Sequence, residues 1–128
     1  MINSMIYTLK KDRIEISVDT LGAQMRSLRL DGWEYLWQGD PAYWTGQSPI
    51  LFPIIGGLPD GRYTWKGKAY EMGTHGFARK MEFSLAAQTE DTLTFRLTDN
   101  EETRKQYPFA FALEVSYKIS GNTVQEGF

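Results

Sequence analysis

The chain has 128 residues, of which 41% are hydrophobic and 23% are charged, and its net charge at pH 7 is −2. This size and apolar content suit a single domain with a buried core. The well-mixed charges lack the basic surface that nucleic-acid binding requires. The absence of cysteine excludes disulfides, and a single histidine argues against a zinc site. We therefore expect no nucleic-acid partner and no metal.

No segment approaches the roughly 20 apolar residues that a membrane-spanning helix needs. The N-terminal stretch MINSMIYTLKKD lacks the apolar run of a secretory signal. The sequence thus predicts a cytoplasmic protein with no membrane partner.

The first predicted elements are strands joined by a tight turn. In RIEISVD, the apolar residues Ile14, Ile16 and Val18 alternate with polar ones, which predicts an antiparallel strand with one buried face. Asp31-Gly32 lies between two apolar arms and is a strong signal for a two-residue hairpin.

Residues 40–61, DPAYWTGQSPILFPIIGGLPDG, break this alternation. Their prolines would remove donors from any β-ladder, which excludes a regular central strand. Their apolar content is too high for a flexible linker. We predict a buried, irregular loop that crosses the face of a sheet, a kind of segment that often carries function.

The second half of the chain returns to strands. Lys66-Gly67 and Glu90-Asp91 lie between strand-like arms and predict two more hairpins, and TLTFRLT (92–98) alternates like RIEISVD. The segment DNEETRKQY (99–107) predicts the only helix, capped by its first or second residue and ending before a proline.

The longest alternating run, FAFALEVSYKI (109–119), is followed by a turn signal at Gly121-Asn122 and then by only a few residues. Such a strand would have an exposed edge, which natural proteins usually cover. We interpret the chain as ending in the middle of a fold. Pairing of two copies through the exposed strand edges is one way to cover them, which would give a homo-oligomer.

The motif HGFAR (75–79) contains the single histidine of the chain. Two interpretations are open from the residues alone: a structural histidine in a surface turn, or a site for a polar ligand. The flanking Gly73 and Gly76 let the backbone turn sharply and approach a ligand. Arg79 offers donors that suit a hydroxyl, carboxylate or phosphate, and the His75 imidazole can donate to an oxygen or transfer a proton.

Aromatic residues are the other candidate ligand contacts. Trp37 and Trp44 bracket the irregular loop, and their flat faces would stack on a sugar ring, although core packing is the alternative for most aromatic residues. No acidic residue lies in an apolar context that would tune it as a general base. We assign Glu71, Glu82 and Glu114 to solvated strand faces.

Three motifs in this order resemble the aldose 1-epimerase (galactose mutarotase-like) family, in its bacterial branch of LacX-type proteins and hexose-6-phosphate epimerases. They are TLGAQMRSLRLDGWEYLWQGDPAYW (20–44), PILFPIIG (49–56) and YEMGTHGFARKMEF (70–83), and the resemblance runs from about Met5 to about Val124. It implies an all-β fold, a large antiparallel β-sandwich. Residues 1–128 would be the N-terminal portion of that single domain, incomplete at the C-terminus.

The resemblance also implies an activity, the interconversion of the α and β anomers of an aldose. In the family, a glutamate takes the proton of the anomeric hydroxyl and a histidine protonates the ring oxygen. The ring opens, rotates about the C1–C2 bond and closes on its other face. The implied partner is a small-molecule sugar or sugar phosphate, and no metal or organic cofactor is implied.

Four residues carry the family's site onto this chain. His75 matches the first of two active-site histidines, a catalytic residue that assists or positions the acid near the ring oxygen. Arg79 matches an arginine that lies close to the ligand in the phosphosugar branch. Trp44 and Phe77 would form walls of the pocket.

The chain departs from the family pattern in two respects. Many relatives have an arginine where this chain has Gly57, so one sugar contact is missing. The family's second histidine and its catalytic glutamate lie in a C-terminal half that this chain does not contain. Since general acid–base help contributes roughly 10²–10⁴-fold per group, we expect weak or no catalysis by the chain alone. A non-catalytic sugar-binding module and a self-associating fragment are the alternatives.

Overall fold

A computed structural model describes residues 4–128 of the chain, which form three antiparallel sheets. The first sheet contains β1 (Ile6–Lys11), β2 (Ile14–Asp19), β3 (Gln24–Leu30) and β4 (Trp33–Glu34), paired in that order. A two-stranded sheet contains β5 (Arg62–Trp65) and β6 (Lys68–Glu71). The second four-stranded sheet contains β7 (Ser84–Gln88), β8 (Thr92–Thr98), β9 (Ala112–Ser120) and β10 (Thr123–Gly127), in the spatial order β10-β9-β8-β7.

The two four-stranded sheets pack face to face. The Tyr7 ring of the first sheet contacts the Phe95 ring of the second, with centroids 6.0 Å apart. The buried Tyr117 hydroxyl of β9 donates a hydrogen bond to the Ala23 carbonyl, 2.7 Å away, just before β3. Alternate residues of the inner strands are fully buried, among them Ile16 and Val115. The predicted all-β sandwich with one buried face per strand is confirmed.

The four predicted turns are confirmed. Asp31 (φ 52°) and Gly32 (φ 84°) join β3 to β4, and Lys66 (φ 49°) and Gly67 (φ 76°) join β5 to β6. Two consecutive positive φ values are the geometry of a type I′ hairpin turn. Residues 89–91 connect β7 to β8, and Gly121-Asn122 connects β9 to β10.

The predicted helix is also confirmed, as α1 (Glu101–Gln106), which lies between β8 and β9. Asn100 is the residue that caps it. The Asn100 side chain accepts from the Thr103 amide at 2.9 Å, and the Thr103 hydroxyl accepts from the Asn100 amide at 2.9 Å. This reciprocal pair is a capping box, which fixes the start of a helix too short to be stable by itself.

One predicted strand begins later than the alternating run does. Strand β9 starts at Ala112, so Phe109 and Phe111 precede it. The Phe109 amide donates to the Tyr107 carbonyl at 2.8 Å, in a tight turn around Pro108, and is therefore not available to a ladder. The Phe109 ring packs against Trp65 of the small sheet, with centroids 4.8 Å apart.

The long irregular segment is confirmed as a loop, because no regular strand forms between Glu34 and Arg62 in the described chain. Its predicted burial is only partly right. Ile50 is buried, but residues 40–45 are exposed. They turn on Asp40, whose carbonyl accepts from the Tyr43 and Trp44 amides at 3.0 Å. Such a turn satisfies its backbone locally, so it needs no sheet to cover it.

The outer strands β1, β4, β7 and β10 each have one edge without a strand partner among residues 4–128. Pairing of two copies through these edges stays a prediction. Within the same residues, no helix has the length and hydrophobicity to cross a membrane. The first three residues of the N-terminal stretch discussed above lie outside the described part.

Candidate functional site

The HGFAR motif lies in a pair of loops, residues 52–57 and 73–79, which we call the loop pair. Three backbone hydrogen bonds join the loops. The His75 amide donates to the Gly56 carbonyl at 2.8 Å, and the Phe77 and Ala78 amides both donate to the Phe52 carbonyl, at 2.9 and 3.2 Å. The motif is thus fixed against the proline-rich segment rather than free in solvent.

Gly76 makes this close approach possible. Its φ is 71°, and a Cβ atom built there would lie 2.2 Å from the Phe52 carbonyl oxygen. That separation is far inside van der Waals contact, so no side chain fits. The glycine of HGFAR is therefore required by packing between the two loops.

A cluster of aromatic rings supports the loop pair from the core side. Phe77 is only 3% exposed, and its ring lies edge-on to Phe52 (centroids 6.1 Å apart) and near Phe111 and Tyr107 (6.0 and 6.4 Å). With so little of its surface open, Phe77 holds the loop pair from beneath. The sequence predicts Phe77 as a wall of the pocket. Because its ring is buried, that wall would be formed mainly by the backbone above the ring.

His75 is half-buried on the loop pair, in the left-handed region with φ 66°. Its side chain returns to the neighbouring loop, where Nδ1 accepts a hydrogen bond from the Gly56 amide at 2.9 Å. Gly57 follows directly, and a Cβ atom there would lie 3.5 Å from the Thr74 hydroxyl oxygen. A side chain at position 57 would consequently lie next to Thr74, the residue before His75.

Arg79 lies in a short 3₁₀ helix, Ala78–Lys80. Its Nη2 donates at 3.1 Å to the Thr74 carbonyl, which belongs to the peptide bond before His75. The Arg79 Nε atom is buried and has no hydrogen-bond partner among the described residues. A buried donor without a partner is costly in a native protein. The Arg79 guanidinium therefore contacts the backbone just before His75, with one donor unused.

Sequence reasoning missed how this helix is anchored. A Cβ atom at Gly22, in the turn between β2 and β3, would lie 2.8 Å from the Arg79 carbonyl oxygen, and the Gly22 amide donates to the Met81 carbonyl at 2.8 Å. The TLGA segment (20–23) thus holds the loop pair at one end of the first sheet, at the turn between β2 and β3. In the sequence, the only sign of this contact was a glycine, Gly22, just before a strand.

Trp37 and Trp44 lie in a second loop, residues 35–46, which we call the aromatic loop. The Trp37 Nε1 donates to the Trp44 carbonyl at 2.8 Å, and the Trp37 ring contacts Tyr43. Trp44 is 55% exposed, and its ring lies against Gly46, where a Cβ atom would approach it to 2.3 Å. These contacts of Trp44 lie within its own loop and leave more than half of the residue exposed to solvent.

Glu34 anchors the start of the aromatic loop, which sequence reasoning also missed. Its carboxylate accepts from the Leu28 and Leu36 amides, at 2.8 and 3.2 Å, and from the Ser27 hydroxyl. Burial by itself would raise the pKa of Glu34, but these hydrogen bonds and Arg29 hold that pKa below the ordinary glutamate value.

Gln47 anchors the end of the same loop. Its side-chain amide donates to the Trp37 and Arg26 carbonyls, at 2.8 and 2.9 Å. The aromatic loop is therefore tied to β3 by side-chain hydrogen bonds, whereas the loop pair is joined by its backbone.

The three glutamates assigned to solvent are all exposed. Glu114 on β9 pairs with Arg96, and Glu71 on β6 lies beside Arg62. Glu82 lies outside the named strands and accepts from the Thr20 hydroxyl. In the described range, no group of three or more His, Cys, Asp or Glu side chains is placed to hold a metal ion.

One acidic residue differs from these. Glu126, on β10, lines an apolar cleft of about 650 Å³ that also includes Phe52 and Ile55 of the loop pair. Burial raises the pKa of Glu126, despite a hydrogen bond from the Tyr117 hydroxyl. Its position two residues from the end of the sequence gave no signal of this environment.

The fold and site together define an antiparallel β-sandwich that presents a histidine and an arginine on a tightly packed loop pair. The family model described as aldose 1-epimerase matches residues 5–125. This chain belongs to the aldose 1-epimerase family, so the resemblance drawn from the sequence is confirmed.

Similar proteins support the same assignment. The plasmid-encoded protein LacX of Lactococcus lactis subsp. lactis is 38% identical over 130 residues, which cover 97% of this chain and 44% of LacX. The solved structure of a galactose mutarotase related enzyme from Lactobacillus acidophilus is 41% identical, with a TM-score of 0.92, over 95% of this chain and 41% of that one.

A galactose mutarotase-like protein from Lactobacillus casei is also similar, at 32% identity and a TM-score of 0.90, over 95% of this chain and 42% of that one. The sandwich is therefore of the galactose mutarotase type. The chain spans less than half the length of these relatives.

Proposed function

We propose that this chain binds an aldose at the loop pair and contributes to the interconversion of its α and β anomers. The observation that carries the proposal is the family match over residues 5–125, which includes HGFAR. The proposal is supported by two hydrogen bonds of the loop pair, one that holds the His75 ring against Gly56 and one that holds the Arg79 guanidinium against the Thr74 carbonyl. It includes the assignment of residues 1–128 to the N-terminal portion of the family's single sandwich domain. A cytoplasmic location also stays a prediction.

Each predicted site residue has a role in this proposal. His75 donates to the sugar near its ring oxygen, and Arg79 directs its guanidinium to a hydroxyl or phosphate oxygen. Trp44 stacks its exposed face on the sugar ring. Phe77 keeps the loop pair in place from the core side.

The proposed reaction transfers protons and breaks one bond. A carboxylate base removes the proton from the anomeric hydroxyl, the ring oxygen gains a proton, and the C1–O5 bond breaks to give the open-chain aldehyde. Rotation about C1–C2 exposes the other carbonyl face, and the reverse steps close the ring. In the family, a glutamate supplies this base and a second histidine supplies the acid. This sequence, by contrast, has a single histidine.

We expect the chain alone to catalyse this reaction weakly or not at all. Among the described residues, no carboxylate forms a hydrogen bond or ion pair with His75 or Arg79. Without a positioned base, about 10²–10⁴-fold of acceleration is absent. Binding would persist, because it needs only donors and stacking surfaces.

The guanidinium of Arg79 supports a sugar phosphate as the ligand. A guanidinium matches the geometry of phosphate oxygens and carries the complementary charge. We therefore expect glucose 6-phosphate to bind more tightly than glucose, and the difference to fall in the Arg79→Gln variant.

The test of the function combines binding and turnover. Sugar binding is measured by ligand-observed NMR with glucose, galactose and glucose 6-phosphate, and anomerisation by polarimetry of freshly dissolved α-anomers. The His75→Ala variant is the control in both. Binding that His75→Ala weakens supports the binding part of the proposal, and acceleration that His75→Ala removes supports the contribution to interconversion. A chain that neither binds nor accelerates any of the three sugars contradicts it.

A further inference from the structure

The hydrogen bond between Gly56 and His75 decides where the imidazole carries its proton. The Gly56 amide can only donate, and the His75 Nδ1 atom receives it at 2.9 Å. An acceptor nitrogen needs a free lone pair, so Nδ1 is unprotonated. The neutral ring must then carry its proton on Nε2, the nitrogen that the loop pair does not use.

The same two residues are joined a second time through the backbone. The His75 amide donates to the Gly56 carbonyl at 2.8 Å, so each residue donates once to the other. Both adopt left-handed conformations, with φ of 85° for Gly56 and 66° for His75. The second bond fixes the backbone of His75, and the first fixes the orientation of its ring.

We infer that Gly56 is a positioning residue, which holds His75 as a neutral hydrogen-bond donor through Nε2. Protonation of Nδ1 would place two N–H groups face to face and break the bond from Gly56. A neutral ring donates a hydrogen bond readily but does not give up its last proton. His75 therefore polarises a ligand oxygen, while the complete proton transfer falls to another acid.

This assignment deepens the proposed function and rests on it where the ligand is concerned. It specifies the ligand atom at His75 as a lone-pair oxygen, such as the ring oxygen of an aldose. It also separates His75 from the base, because Nε2 already carries a proton.

The first test reads the hydrogen bond directly. The chain has one histidine, so the imidazole signals of uniformly ¹⁵N-labelled protein need no assignment among several rings. We expect a coupling through the hydrogen bond between the Gly56 amide nitrogen and the His75 Nδ1, with the ring proton on Nε2. A proton on Nδ1, or a ring that shows no coupling to Gly56, would overturn the inference.

The second test separates positioning from ligand contact. Asparagine places its side-chain oxygen near the position of Nδ1 and tolerates a positive φ, so His75→Asn keeps an acceptor for Gly56 but has no donor at Nε2. We expect it to unfold at the same urea concentration as the wild type and to bind sugar about tenfold more weakly, the effect of one lost hydrogen bond.

Glutamine reaches the position of Nε2 with its amide and leaves Gly56 without an acceptor. His75→Gln is therefore expected to be less stable than His75→Asn but to bind sugar better. The opposite order of binding would contradict the donor role of Nε2. If the wild type shows the NMR coupling but binds no sugar, the proposed function fails and the positioning by Gly56 stands.

Discussion

The loop pair and the aromatic loop are both irregular and rich in aromatic residues, but they are held in opposite ways. In the loop pair, Phe77 is 3% exposed and three amides donate across the two segments. In the aromatic loop, Tyr35 and Tyr43 are 66% and 82% exposed. The loop pair is held by a buried ring and by backbone hydrogen bonds between its segments, whereas the aromatic loop lies on the surface and is tied down at its ends.

This difference bears on function. A group that must meet one ligand atom needs a fixed position, and the loop pair gives His75 and Arg79 such positions. A stacking surface needs only to be flat and accessible, which the aromatic loop provides at Trp44. We therefore expect mutations of packed residues in the loop pair to change stability, and mutations of exposed aromatic residues in the aromatic loop to leave stability nearly unchanged.

The largest expected contrast is between two aromatic substitutions. Phe77→Ala removes a buried ring at the centre of the aromatic cluster and should lower the free energy of unfolding by about 3–5 kcal/mol. Tyr43→Ala, at an 82% exposed position, should change it by less than about 0.5 kcal/mol. Urea unfolding followed by circular dichroism measures both. Similar losses in the two variants would show that the loops are not held differently.

A glycine pair tests the close packing between the two segments. Gly76→Ala introduces a Cβ atom 2.2 Å from the Phe52 carbonyl oxygen and adds left-handed strain, so we expect a loss of about 2–4 kcal/mol. Gly32 has a similar φ of 84° with nothing within 4 Å, so Gly32→Ala shows the strain alone, about 1 kcal/mol. Equal effects in unfolding experiments would contradict the packing argument.

The sequence allowed most of the sandwich to be predicted, because its strands alternate and its turns use residues that accept a positive φ. Asp31-Gly32 and Lys66-Gly67 are local signals and needed no knowledge of the partner strands. The predicted start of β9 was wrong. The alternating pattern includes Phe109 and Phe111, but the Phe109 amide is hydrogen-bonded in a turn and is not available to the sheet. The predicted burial of residues 40–45 was wrong because the apolar composition of the segment was taken as a sign of burial.

The site was predictable only as a motif. HGFAR indicated His75 and Arg79 as candidates, but the bond from Gly56 depends on two segments nineteen residues apart meeting through their backbones. The anchoring by Gly22 is likewise a contact between distant segments. Such contacts leave no local pattern beyond a glycine, which is why the ring orientation of His75 and the support of Arg79 required the structure.

The next prediction concerns the start of the aromatic loop. Hydrogen bonds lower the pKa of Glu34 in the folded chain below its value in the unfolded chain, which is near 4.5. The ionised carboxylate therefore stabilises the fold fully above the pKa of the unfolded chain. This stability is lost as the pH falls through the lower pKa of the folded chain. Glu34→Gln should therefore cost about 1 kcal/mol at pH 7. The difference from wild type should shrink in acid. A cost that is constant between pH 7 and pH 3 would contradict the role of the charge.

The smallest expected effect on stability is at Trp44, where the effect on binding should be clear. Trp44 is 55% exposed, so Trp44→Ala should change the free energy of unfolding by less than about 0.5 kcal/mol. Loss of the stacking face should weaken sugar binding about fivefold, measured by ligand-observed NMR. Trp33→Ala, at a 76% exposed position outside the aromatic loop, is the matched control and should leave binding unchanged. Equal binding by both variants would remove Trp44 from the site and leave the loop pair as its only described wall. A loss confined to Trp44→Ala would indicate that the aromatic loop and the loop pair face one ligand.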